Sequence, residues 1–561
     1  MYYFVAVALV LVAIALIFYI RLYYNKLSWA KKRLAKIKGK WGKPVNARRN
    51  FDLIRLYLDS DEAPNKISAQ TANDLDLNSV FNYIDRTNSK PGKQYLYKLL
   101  HHPITDTDTL HELDAEIEDL NIDVPARDRL EIELSRLNSN NAYYIVNLFL
   151  RAHQPVFQSV LNTYMRVSSF LILAGFVSLA IVPNIFSFIF LVLLFVYNVV
   201  IHFTSRKKIS AYTSSLPQAL IMHKVAVTLV KSGKFSHTDA VKQSLTRLLG
   251  LKRALRLVNA ESAVVSANTD IGHAVFQLFK ILFVVEPYVY TSSLKQIEEF
   301  REDLRVVYEF IGRADALIAI QSVRAGFPFY SKPEFTGTDG KIEIAELFHP
   351  LVVNCVPNSL YTTDADKGAL ITGSNMSGKT TFIKALGLNT LLAQTIFTSC
   401  AKSYKAPVLK IQTSIKTADN IDEQKSYFQA QASAILDIID HSAEKETIKS
   451  LVIIDEIFRG TNTIERIAAA KSVLSYITAN QNFVFVSTHD LELAELLDED
   501  FMVYSFSDSK DGRTLVFDYM LKQGLLKSTN GIAILKSMGY PESVIEEANI
   551  VSERMMNKYL V

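Results

Sequence analysis

A mixed architecture is predicted for this chain of 561 residues: membrane-spanning helices and an all-α, lever-like core, then an α/β unit on a mostly parallel sheet, then a helical tail. Three observations predict it. Apolar residues make up 49% of the chain and concentrate in uncharged blocks at 4–20 and 167–203. Residues 209–320 are rich in Leu, Val and Ala, poor in Gly, and carry apolar positions at helical spacing. From Lys341 onward, short β-rich runs alternate with helical ones. The net charge of +4 excludes no partner by itself. Two cysteines, Cys355 and Cys400, are too few for a disulfide framework or a thiolate metal site, and read as ordinary thiols of a reducing compartment.

Residues 1–20 are expected to form a transmembrane helix. No charge precedes Phe4, whereas Arg21 to Arg49 carries eleven Lys or Arg and no acid, so the chain after residue 20 is placed in the cytoplasm. Residues 21–70 are expected to form a basic juxtamembrane linker suited to anionic lipid, with a nucleic-acid role for the basic run as the alternative. Residues 71–160 begin the helical core, with Pro91-Gly92 and Pro103 read as ends of apolar-periodic runs such as Gln94 to Leu100. Residues 165–204 form a transmembrane helical hairpin, broken at Val182-Pro183-Asn184, with Arg166 and Arg206-Lys207-Lys208 holding both ends on the cytoplasmic face. A pair of buried core helices is the alternative. The expectation is thus a multi-pass protein of the plasma or inner membrane, with about three spans and a cytoplasmic soluble part. Residues 205–340 continue the helical core, 341–515 form the α/β unit, and 516–561 the helical tail.

The chemistry lies in the α/β unit. Gly373-Ser374-Asn375-Met376-Ser377-Gly378-Lys379-Thr380-Thr381 follows the strand Ala369-Leu370-Ile371 and opens a helix. Glycines let the backbone wrap so that its N–H groups meet phosphate oxygens at the positive end of a helix dipole. Lys379 is expected on the β- and γ-phosphates of ATP and the Thr380 hydroxyl on Mg2+. The strand Leu451-Val-Ile-Ile454 carries Asp455 to the sheet's carboxyl edge as a second magnesium ligand, with Glu456 placed to orient and deprotonate the attacking water. A third strand, Phe483 to Val486, ends near His489, read as a γ-phosphate sensor.

These motifs resemble the MutS family of P-loop ATPases. The loop Thr372-Gly-Ser-Asn-Met-Ser-Gly-Lys-Thr-Thr381, with Asn375-Met376 particular to that family, carries the likeness with Asp455-Glu456-Ile-Phe-Arg-Gly-Thr-Asn-Thr463, Ser487-Thr488-His489, His349-Pro350-Leu351 and the signature segment around Asp419 to Phe428. Thr87 to Gly92 and Tyr519 to Ala548 extend it over roughly residues 70–555. The resemblance implies an ABC/MutS-type ATPase domain at 341–515 and a tail at 516–561 that embraces a partner copy. It also implies a homodimer in which Ser426 reaches the partner's γ-phosphate, and a DNA-embracing body of the kind used in mismatch repair. The family's N-terminal domain with a Phe-x-Glu wedge for mismatched DNA is not found here, and Gln431 and Asn462 stand where Glu and Ser are usual. Two readings remain. In one, a membrane-anchored ATPase couples nucleotide to DNA binding; in the other, a membrane-bound mechanical ATPase acts on a protein or envelope partner. An ABC transporter is disfavoured, because three spans make no permeation path and no Leu-Ser-Gly-Gly signature is present.

Overall fold

The computed structural model describes residues 16, 20, 21, 23, 24, 27–59, 65–150, 159–213, 215–251, 277–337, 340–363, 367–374, 376–415, 427–442, 447–497, 500–511, 514–525, 532, 535–536 and 538–559. The chain divides into two compact units. One holds Met1–Glu62, Asp85–Lys98 and Ala115–Val323, the other Ala63–Ile84, Leu99–Asp114 and Arg324–Val561. The helical stretch expected as one piece over 71–160 is therefore shared between the units.

In the first unit the break at 182–184 is where the sequence puts it. Helices Ser159–Ile181 and Ile185–Thr213 flank it as an antiparallel pair. Both are long and apolar enough to cross a membrane by length and composition, and their side chains are mostly exposed, Phe170 at 73% and Phe186 at 79%. The apolar stretch at 4–20 lies outside the described residues except Leu16 and Ile20.

The start of helix Lys90–His101 corrects an expectation. Pro91-Gly92 opens this helix; only Pro103 follows its end. Proline is tolerated in a first turn, where its missing N–H has no partner to lose. The buried carboxylate of Asp315 accepts from the N–H groups of Asn88 and Ser89 and from the Ser89 hydroxyl, capping that end. A Cβ on Gly92 would sit 2.2 Å from Asp315 Oδ2, so glycine is what lets the cap approach.

The basic run also differs from a free linker. Residues 27–40 are helical. Lys40 Nζ donates to Arg86 O (2.8 Å) and Asn88 Oδ1 (2.7 Å), the Arg127 guanidinium lies 3.6 Å from the Trp41 ring centroid, and Lys38 pairs with Asp128 at 3.1 Å. Arg49 Nε pairs with the buried Asp85 at 2.8 Å, and Lys93 pairs with the same carboxylate. Burial alone would raise the Asp85 pKa, but Lys93 and Arg49 outweigh it and hold the carboxyl well below its usual range. Sequence shows the excess of cations; the acids that meet them come from more than thirty residues away.

Among its described residues the second unit holds two sheets. A four-stranded sheet has the order β1 (Glu334–Thr336), β5 (Ser403–Pro407), β2 (Glu343–Leu347), β3 (Asn358–Tyr361). The larger sheet has the order β10 (Thr514–Gln523), β9 (Phe501–Asp511), β4 (Gly368–Gly373), β8 (Phe483–Ser487), β7 (Ser450–Asp455), β6 (Lys410–Ser414), parallel throughout except for β9 with β10. Alternate residues divide between its faces. Ile371, Ile453 and Phe485 join Phe382, Ile383 and Leu386 of helix Lys379–Ile396 on one side. Leu370, Val452, Ile454 and Val486 join Ile435, Ile438, Leu474 and Ile477 of helices Tyr427–Asp440 and Thr463–Ala479 on the other. With helices on both faces, the central strands are apolar at nearly every position, as the sequence reads. The sheet continues to Gln523, beyond the boundary expected at 515, and the tail's described helix is Glu542–Tyr559.

Candidate nucleotide site

Strands β4, β7 and β8 are neighbours, and all three end at one edge. Parallel pairing puts Asp455 opposite Ser487, and Thr488 N–H donates to Ile371 O at 3.0 Å. Residues separated by a hundred positions therefore meet at one carboxyl edge, where ligands bind in such sheets.

The phosphate loop leaves β4 at Gly373 (φ 141°) and enters helix Lys379–Ile396 through Gly378 (φ 109°). Both angles lie in the region that disfavours side chains. At Gly373 the space is also closed, since a Cβ would stand 2.8 Å from Phe506 O. Met376 is left-handed too (φ 71°) and exposed. The Ser377 hydroxyl is buried and has no hydrogen-bond partner among the described residues, as expected of a group reserved for an anion. Ser374 and Thr381 line the adjoining cavity, and Asn375 lies outside the described residues.

Lys379 folds back over the loop. Its Nζ donates to Gly373 O (2.9 Å) and Ser374 O (2.8 Å). Burial pulls its pKa down to about 8, against the opposing fields of Glu456 and Asp455. Thr380 Oγ1 donates to Asp455 Oδ2 at 2.8 Å, and the Ser487 hydroxyl donates to the other Asp455 oxygen. A carboxylate and a hydroxyl side by side are hard oxygen ligands of the type magnesium takes, together with substrate phosphates and waters. The residues present thus fit that ion.

Glu456 begins the turn after β7 with φ 53°. Its Oε1 lies 3.0 Å from His489 Nε2 and its Oε2 3.0 Å from Arg459 Nε. The hydrogen bond from His489 lowers the Glu456 pKa most; burial opposes, and the charges of His489, Arg459 and Lys379 add to the lowering. Lys379 Nζ is 3.4 Å from the same His489 nitrogen. With the proton on Nε2 the ring donates to Glu456, and the ammonium contact is no hydrogen bond. Ser426 lies outside the described residues; the helix that follows it, Tyr427–Asp440, carries Gln431, whose amide reaches the Glu456 turn.

A cavity of about 420 Å3 adjoins the loop. Its lining combines the polar Lys379, Thr380, Thr381 and Glu456 with the apolar Val352, Val353, Cys355, Phe506 and Tyr519, the mixture a nucleotide needs. His349 also lines it; burial and the Lys384 charge, against Asp76, pull its pKa down to about 4, so its ring is neutral near neutral pH. Tyr519 and Asn358 were not assigned to the site from the sequence. Asn358 Nδ2 donates to Tyr519 O (2.9 Å) and its Oδ1 accepts from Leu521 N–H (2.6 Å), fixing Tyr519 at a β10 irregularity with φ 54°. The one signal was the resemblance that begins at Tyr519, and it pointed to the tail.

Residues 369–556 match the family model of MutS domain V. The DNA mismatch repair protein MutS of Leptospira interrogans (serogroup Icterohaemorrhagiae serovar Lai, strain 56601) is 29% identical over 306 residues, 52% of this chain and 35% of that protein. The protein of the same name from Fervidobacterium nodosum is 29% identical over 317 residues, 54% and 37%. That of Clostridium botulinum (strain Hall) is 30% identical over 316 residues, 54% and 33%. The matched region spans about a third of the length of these curated relatives.

Proposed function

This chain belongs to the MutS family, and from that premise we propose that it is a membrane-anchored ATP hydrolase that works as a homodimer and couples its nucleotide cycle to DNA binding. The observation that carries the hydrolase is the meeting of Lys379, the Thr380–Asp455 pair and the Glu456–His489 pair at the ends of β4, β7 and β8. The triphosphate lies along the loop amides and the start of helix Lys379–Ile396, where the helix dipole favours anions. Lys379 exchanges its two carbonyl partners for the β- and γ-phosphates. Thr380 and Asp455 would hold Mg2+, which when bound would supply charge neutralisation for the phosphates. Glu456 orients the attacking water and accepts its proton, with His489 beside the γ-phosphate. Ser426 completes the partner's site by analogy with the family.

The membrane role rests on the exposed apolar pair Ser159–Ile181 and Ile185–Thr213. The DNA role rests on relatives named for DNA mismatch repair. One observation favours the second reading, a protein or envelope partner: Lys38, Arg49 and Lys93 of the first unit are matched by Asp128 and Asp85 of the same unit. The test is the ATPase rate of the detergent-purified chain with duplex, mismatched and branched DNA over a salt series. Stimulation that fades steeply with salt supports the DNA reading. A healthy rate indifferent to every DNA transfers the assignment to a protein partner.

A further inference from the structure

The turn that carries Glu456 is held open by a side chain from another element. After β7 ends at Asp455, Glu456 (φ 53°) and Phe458 (φ 56°) are both left-handed, a conformation that costs a non-glycine residue roughly 1 kcal/mol or more. In a closed turn the carbonyl of Glu456 would accept from the N–H of Arg459. Here the Gln431 amide stands between them. Its Nε2 donates to Glu456 O at 3.0 Å and its Oε1 accepts from Arg459 N–H at 3.0 Å. Gln431 itself is 1% exposed, so these two bonds satisfy an amide that is closed off from water. Ile457 and Phe458 are buried in the core that includes Ile435 and Ile438 of Gln431's own helix.

We propose that Gln431 is a positioning residue for ATP hydrolysis, bracing Glu456 and Arg459 at a fixed separation and so aiming the Glu456 carboxylate. This rests on the hydrolase reading above. The spacing of the two turn ends sets how Arg459 Nε meets Glu456 Oε2, and it presents Oε1 to His489. Any displacement of helix Tyr427–Asp440 is delivered to Glu456 through this amide. With a carbonyl on one side and an N–H on the other, the amide matches both partners of this turn. A carboxylate at 431 would accept from Arg459 N–H but face the Glu456 carbonyl with a lone pair; a protonated carboxyl would restore the donor.

The experiment is steady-state ATP turnover by the full chain in detergent for wild type, Gln431→Met, Gln431→Glu and Glu456→Gln, with a fluorescent ATP analogue measuring binding. Gln431→Met is expected to lower kcat about 10- to 100-fold while KM and analogue affinity stay within about twofold, because it misaims a group without touching the phosphate loop. Gln431→Glu is expected to be slow near pH 8 and to regain activity relative to wild type as pH falls, because burial raises its carboxyl pKa and protonation restores the donor. Gln431→Met should stay slow at every pH. A wild-type kcat in Gln431→Met beside a slow Glu456→Gln overturns the proposal. So do parallel losses of kcat and affinity in both Gln431 variants with no recovery at low pH, the mark of a structural defect alone. If Glu456→Gln turns over as fast as wild type, the assignment of Glu456 as the base fails, and the proposal fails with it.

Discussion

Lys379 gives the nucleotide site a pH dependence of known sign. Before ATP binds, burial holds its ammonium at a pKa of about 8. Triphosphate beside it favours the charged form, so its pKa rises on binding. Below about pH 8 the lysine is already charged and binding needs no proton. Above it, the free protein has lost that proton and must recover it to bind, so affinity falls as pH rises. From about pH 7.5 to about pH 9.5 the charged fraction drops roughly 25-fold, which costs about 1.9 kcal/mol of binding free energy. The assay is titration calorimetry of a non-hydrolysable ATP analogue in buffers of different ionisation enthalpy. The expected result is weakening by roughly that factor, with uptake approaching one proton at the alkaline end. Lys379→Met should bind weakly and lose the dependence. An affinity that stays flat over this range, or one that Lys379→Met retains with its slope, refutes the reasoning.

Other outcomes follow from the same geometry. Glu456→Gln should retain ATP binding and accumulate an ATP-bound dimer, visible as a mass doubling in detergent-corrected light scattering; an ATP-treated sample that stays monomeric contradicts the dimeric site. Asp74, wholly buried, accepts from Thr413 Oγ1 (2.7 Å) and Ile415 N–H (3.0 Å) beside the edge strand β6. Asp74→Ala should cost about 2–4 kcal/mol by leaving two donors unmet, read as a lowered denaturation midpoint of the second unit. The full chain should stay in the membrane fraction through alkaline carbonate washing and leave it only with detergent, whereas release by carbonate removes the hairpin as an anchor.

Legibility followed range along the chain. The phosphate loop was readable because strand, loop and helix adjoin and each imposes its own residue types, Gly373 and Gly378 above all. The apolar strands ending at Asp455 and Ser487 were readable because both sheet faces are covered. The hairpin break at 182–184 was readable from Pro183 and Asn184. What pairs at a distance was not. Nothing local says that β4 lies between β8 and β9, or that Asn358 fixes Tyr519 at the cavity wall. Strand β10 was taken for tail because polar and apolar residues mix over 514–523, as they do on a sheet edge or an amphipathic helix. Pro91-Gly92 was misread because its reason lies in Asp315, more than two hundred residues away. Gln431 was noticed only as a departure from the family; its bonds to the Glu456 turn give it a purpose.

The central claim is hydrolysis of ATP at the edge shared by β4, β7 and β8, and phosphate release by the purified full chain with magnesium tests it most directly. Turnover by wild type that disappears in both Lys379→Ala and Glu456→Gln, with nucleotide binding lost only in the first, is the predicted result. Turnover that survives Lys379→Ala, or a folded wild type that binds ATP and releases no phosphate with or without DNA, would contradict it.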